Sequence, residues 1–136
     1  MYVKTLTAIA LCAASAFATA QTSATAMTKA EYSAAKDRIE MDYKNAKKSC
    51  DAMKDNAKDI CQVEAKGKEK VEKAELENKY KATATNGRKL EEAKADSAYD
   101  LAKEKCEDQA GDAAKVCKAD AKAAHERAIN TARGKA

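Results

Sequence analysis

From Thr28 onward the apolar positions of the chain recur every three or four residues, and the stripes they draw are narrow and built largely of alanine. The first runs through Tyr32, Ala35, Ile39, Tyr43, Ala46, Cys50 and Met53. Thr28 with Glu31 three positions later is the pattern of a capping box, so a helix is expected to open there. A second stripe of Ile60, Val63, Gly67, Val71 and Ala74 predicts a helix from about Ala57 to about Ala82, with Glu69/Lys73, Glu75/Lys79 and Glu77/Lys81 placed for pairing on its outer side. The segment Thr83-Ala84-Thr85-Asn86-Gly87 is expected as a linker, because Asn-Gly is a strong turn signal. A third helix is then expected from near Arg88, with Ala95, Tyr99, Ala102 and Cys106 in line and Ala98 and Leu101 flanking them. A fourth follows Gly111, carrying Ala113, Cys117, Ala121, Ala124, Ala128 and Thr131 at near-heptad spacing.

Four of the cysteines decide how these helices are joined. Cys50 and Cys61 are eleven positions apart, as are Cys106 and Cys117. Along an unbroken helix that separation is roughly 16 Å, whereas a disulfide needs Cα atoms within about 7 Å. Either the thiols stay reduced or the chain turns back between them. Asp55-Asn56 and Gly111-Asp112 lie midway between the cysteines and favour a turn, with Asn56 read as the cap of the second helix and Gly111 as the residue past the end of the third. The expected fold is therefore all-α, two disulfide-stapled helical hairpins of four helices, elongated or loosely bundled. Residues 21–82 form the first hairpin, 83–87 the linker and 88–136 the second.

The two halves are copies. Tyr43 to Lys66 set against Tyr99 to Lys122 gives identity at Tyr43/Tyr99, Ala46/Ala102, Lys47/Lys103, both cysteine positions, Ala57/Ala113, Ala65/Ala121 and Lys66/Lys122.

The first twenty residues read differently. Lys4, the apolar run from Leu6 to Phe17 and the small residues Ala18-Thr19-Ala20 fit a secretory leader, with cleavage expected before Gln21. Cys12 does not make it a lipidation signal, because Leu11 stands where a small residue is needed and the apolar run continues past the cysteine. No other apolar run approaches membrane-spanning length, so the chain is expected in the periplasm or secreted and not membrane-spanning after cleavage. Residues 21–136 carry 25 Lys plus Arg against 22 Asp plus Glu with the signs interleaved, which argues for a solvating surface and against specific nucleic-acid binding. Alanine fills 26 of those 116 positions and Leu, Ile and Val only nine, so little area can be buried and the cystines are expected to carry much of the stability.

Candidate chemistry is sparse. Redox motifs bring two cysteines much closer in sequence, and zinc sites use short cysteine spacings or nearby histidines, so Cys50, Cys61, Cys106 and Cys117 are expected as structural disulfides in an exported chain. His125, the only histidine, stands on a helix otherwise covered in Lys, Arg, Asp and Ala, about 80° round from Cys117, and is expected to be solvated without a partner. Tyr43 and Tyr99, seven residues before a cysteine in each unit, are expected to pack beside the cystines. The serines and threonines lack a paired base, so no catalytic residue, metal site or cofactor is expected.

The run from Tyr43 to Cys50, then Asp51 and Asn56 to Cys61, then Glu64-Ala65-Lys66, resembles small Ala/Lys-rich helical periplasmic proteins of proteobacteria in which such a Cys-x10-Cys unit occurs twice. Members are sometimes labelled TolA-like cell-envelope biogenesis proteins, after the helical stalk of the Tol-system protein TolA. Asp55 departs from that pattern, which usually places a glycine before the asparagine, and Ala114-Lys115 departs from it in the second unit. The resemblance implies location and architecture. The function expected is a non-enzymatic structural or protein-interaction role in the envelope, with an envelope protein as partner. A holdase chaperone and a weak binder of anionic envelope polymers are the alternatives. The alanine seams also offer a surface on which a second copy could pair.

Overall fold

The computed structural model describes residues 26–134, so the expected leader, its cleavage site and Cys12 lie outside the described residues. Four helices follow one another, α1 (Lys29–Cys50), α2 (Asp55–Tyr80), α3 (Ala84–Cys106) and α4 (Gly111–Gly134), and there is no strand among the described residues. Thr28 caps α1 as its sequence predicts: its hydroxyl accepts the Glu31 N–H at 3.2 Å, and the Glu31 carboxylate accepts the Thr28 N–H at 2.8 Å. The Thr28 N–H, and then the Thr28 hydroxyl, which donates to the same carboxylate oxygen at 2.8 Å, hold the Glu31 carboxyl below its ordinary pKa.

The chain turns between paired cysteines in the same way twice. Four residues separate Cys50 from Asp55, and four separate Cys106 from Gly111. Asp51 and Glu107, repeat equivalents, leave their helices in right-handed conformation (φ −65° and −69°). Asp55 and Gly111, equivalents again, start the next helix left-handed, with φ of 51° and 60°. Glycine takes that conformation freely, whereas an aspartate is strained in it by roughly 1 kcal/mol. Asp55→Gly is therefore expected to raise stability by about 0.5 kcal/mol, the release of strain exceeding the added chain entropy, while Gly111→Ala lowers it by about 1 kcal/mol. Paired urea titrations check both, and the same sign for the two variants would refute the shared left-handed bend. Asn56 does not cap α2. Its side-chain amide donates to the Glu104 carbonyl at 3.3 Å and to Asp108 Oδ1 at 2.6 Å, tying the start of α2 to the end of α3.

The link between the halves is shorter than the Asn-Gly signal implied. α2 ends at Tyr80, and Lys81 to Thr83, drawn together by a bond from the Thr83 N–H to the Lys81 carbonyl at 2.9 Å, are the whole connection. Asn86 and Gly87 lie inside the first turn of α3, because Thr83 accepts the Asn86 N–H at 3.1 Å and the Asn86 amide reaches back to the Lys81 carbonyl at 2.8 Å. A capping threonine three residues upstream outweighed the turn preference of the dipeptide.

Each helix packs only on its neighbours in sequence: α1 on α2, α2 on α3, α3 on α4. On α2 the stripe Cys61, Ala65, Leu76 and Tyr80 serves α1, while Asn56, Gly67 and Lys70 serve α3, and the two stripes lie about 160° apart round the helix. On α3, Ser97 meets α2, and Tyr99 and Cys106 meet α4, again on opposite sides. Contacts on opposite sides of each middle helix make an open single layer, the elongated alternative, and not a closed bundle. Its buried residues are Cys50, Ala65, Leu76, Ala93, Ala95, Cys106 and Ala132, so Leu76 is the one large aliphatic side chain among them. Met53, placed on the first stripe by periodicity, is 45% exposed, because the helix has ended before it.

Candidate functional site

The two cystines close the hairpins, with Cα atoms 5.6 Å apart for Cys50–Cys61 and 5.7 Å for Cys106–Cys117. Cys50 and Cys106, the last residues of α1 and α3, are wholly buried, while their partners Cys61 and Cys117 are partly exposed. At the other end of the first hairpin, Tyr32 packs against Tyr80 with ring centroids 4.5 Å apart and the rings tilted by 31°, and its hydroxyl donates to Glu77. That bond holds the Tyr32 phenol above its ordinary pKa and occupies the carboxylate that the sequence paired with Lys81. Of the pairs read on α2, Glu69–Lys73 forms at 2.7 Å, and Lys73 also reaches Glu40 of α1 at 3.6 Å. The Glu69 hydrogen bond, followed by the charges of Glu69 and Glu40, holds the Lys73 ammonium pKa up.

His125 is the main correction to the sequence reading. It is not a lone solvated side chain: its Nε2 lies 2.7 Å from Asp96 Oδ1, its ring stacks on Tyr99 at 4.8 Å between centroids, and three-quarters of its side chain is covered. Asp96 Oδ2 accepts from Lys70 at 2.6 Å, so one carboxylate joins α2, α3 and α4. Beside it the Ser97 hydroxyl donates to the Gly67 carbonyl at 3.1 Å. The packing face of α4 is therefore turned by about 60° from the expected stripe, toward His125 and Ala132, because ion pairs to α3 compete with the alanine seam: Lys118–Glu107 at 2.7 Å and Arg133–Glu92 at 3.5 Å flank the histidine. One signal for this was present in the sequence. Extending the repeat three residues upstream of Tyr43/Tyr99 aligns Glu40 with Asp96, and both acids serve as the bridge to the next helix. The partners differ, Lys73 in one half and His125 in the other, which is why the repeat alone did not reveal the second.

Lys70, then His125, hold the Asp96 carboxyl below its ordinary pKa despite its partial desolvation. A carboxyl depressed in the folded state stabilises fully above its unfolded pKa of about 4 and loses that contribution as pH falls through the folded value. Asp96→Asn is expected to lower stability by about 1 kcal/mol at pH 7, a figure reduced for the third of the side chain left in water. The gap between Asp96→Asn and the parent narrows from pH 5 to about pH 2, as thermal melts across that range would record; a gap independent of pH would mean the carboxylate charge is idle.

The layer has two unlike faces. Between α2 and α3 one side opens a trough of about 410 Å³ walled by Val63, Val71 and Leu101, and Ala98 joins it to a second hollow over Tyr99, Ala121 and Ala124. The reverse side of the same seam presents Lys66, Lys70, Asp100 and Lys103. Tyr43 and Tyr99 are half-buried, each with a lysine over its ring, Lys47 at 5.7 Å and Lys103 at 5.3 Å, so they line the seams next to the cystines without filling a closed core. Among the described residues no group of three or more His, Cys, Asp or Glu is placed to hold a metal ion. The Ser97 hydroxyl beside the Asp96–His125 pair is committed to a backbone carbonyl. Among the described residues no helix is long and apolar enough to cross a membrane. Compared with known proteins, the chain matches no family model, no curated protein and no solved structure.

Proposed function

We propose that this is an exported, non-enzymatic helical protein of the bacterial periplasm that serves a structural or protein-interaction role in the cell envelope. The observation that carries the reading is the open layer locked by two disulfides: four helices held rigid with both broad faces left to the outside. A protein built this way offers surfaces rather than an enclosed site, and its disulfides suit an oxidising compartment. The leader read in residues 1–20 supplies the route there. Fractionation of host cells with N-terminal sequencing tests the location, and photo-crosslinking residues on each face test the role. A mature chain starting at Gln21 and one discrete envelope protein joined from one face are the expected results. A cytoplasmic, uncleaved chain with reduced thiols would overturn the proposal.

A holdase chaperone is the second reading, and the trough of Val63, Val71 and Leu101 favours it because a holdase needs exposed apolar surface. Suppression of aggregation of several unrelated clients at equimolar ratio would put it first.

A further inference from the structure

Residues 21–136 hold nine Leu, Ile and Val side chains, and three of them, Val63, Val71 and Leu101, line one open trough while the buried core takes only Leu76. All three are only half-buried, and a chain this poor in large aliphatics forgoes stability by leaving them open on one side, so the trough is surface prepared for an occupant. Its floor is shallow where Gly67 approaches Ser97, leaving a channel open along one side between two antiparallel helices. A small apolar molecule would remain half in water there, whereas a helix laid between α2 and α3 would complete a three-helix contact.

The rim says what such a helix carries. Along α2 it consists of Glu64, Lys68, Glu72 and Glu75. Lys68 lies 3.7 Å from Glu72, and Glu64 and Glu75 have no basic partner among the described residues. The two unpaired carboxylates stand about 16 Å apart along α2, three turns, which matches a segment presenting apolar anchors at i, i+3, i+4 and i+7 with basic residues along one flank. We propose that the α2–α3 trough seats an amphipathic helix of a partner protein, apolar on one side and rich in Lys or Arg on the flank that lies over α2. This rests on the envelope-partner reading and names its surface.

The test titrates the oxidised protein, purified from its host, with two synthetic 18-residue helices that share a Leu stripe at i, i+3, i+4 and i+7, one flanked by Lys and one by Glu. Amide chemical shifts are expected to move at Val63, Gly67, Val71 and Leu101. The Lys-flanked peptide is expected to bind about tenfold more tightly, the sum of two partly exposed charge pairs. E64K/E75K reverses that order, and E64Q/E75Q, which keeps side-chain shape, removes the preference. Equal affinities, shifts confined to the Lys66, Lys70 and Lys103 side, or a concentration-dependent dimer that covers Leu101 would each overturn the proposal. Crosslinking in cells separates the two readings: a discrete partner still joined to E64K/E75K leaves the envelope role standing and removes the trough from it. Peptide discrimination without any envelope partner does the reverse.

Discussion

Reducing both cystines is expected to unfold most of this protein at 37 °C. A disulfide closing a loop of about a dozen residues stabilises by roughly 3 kcal/mol in the chain-entropy account, and a domain of this size has about 5 kcal/mol in all. Two equal loops are closed here, and apart from the cysteines the buried set contains one leucine and four alanines, so apolar burial does not offset their loss. Replacing Cys50 and Cys61 by alanine, or Cys106 and Cys117, is expected to lower stability by similar amounts because the loops and bends are equivalent. Topology sets the order of events. α1 rests only on α2 and α4 only on α3, so the outer helices exchange their amide hydrogens first and the α2–α3 pair last. Circular dichroism at 37 °C with and without reductant, followed by hydrogen exchange, measures both; a melt indifferent to reductant would show that helix packing suffices by itself.

Gly67→Leu is expected to be the most damaging single substitution on the seam between the halves, lowering the melting temperature by about 10 °C. A Cβ on Gly67 would stand 3.1 Å from the Ser97 Cβ, and the whole leucine side chain would have to enter the same gap. Overpacking of this kind costs about 2 kcal/mol, and a domain of some 100 residues loses 4–8 °C per kcal/mol. The spreading also endangers the Ser97–Gly67 bond and the Lys70–Asp96 pair, which stand close by on the two helices. Ser97→Gly in the same chain should restore part of the loss, because neighbouring substitutions couple. Gly67→Ala is expected to be nearly neutral, the gain in helix propensity balancing a contact that must yield by a few tenths of an ångström. A leucine variant that melts with the parent would place the halves further apart than this seam requires.

Particular residues show why some features were legible in the sequence. The capping box of Thr28 and Glu31 is local, settled within one turn, and it forms as written. The cysteine spacing is nearly as local, since a bond between residues eleven apart forces the bend. The Asn-Gly signal at residues 86–87 failed against a competitor just as local, Thr83, whose cap started α3 early. His125 failed for a different reason: Asp96 is 29 positions away on another helix, and only the packing of α3 on α4 brings them to 2.7 Å. The trough was invisible too, because Val63 and Val71 were counted toward a core that a single layer does not enclose.

By itself, then, the sequence determined four helices, the bend within each hairpin, the pairing of Cys50 with Cys61 and Cys106 with Cys117, and the duplication that relates the halves. These follow from periodicity, caps and loop closure, which act over a few residues. The tertiary structure decided how the hairpins join. The Gly67–Ser97 approach and the three-helix junction at Asp96 lay α2 against α3, and the opposite-sided stripes then extend a layer instead of closing a bundle. Alanine stripes are too alike to choose between those arrangements, since their small side chains fit almost any neighbour. The choice fell to one glycine and one shared carboxylate, whose partners are named only once the helices have met.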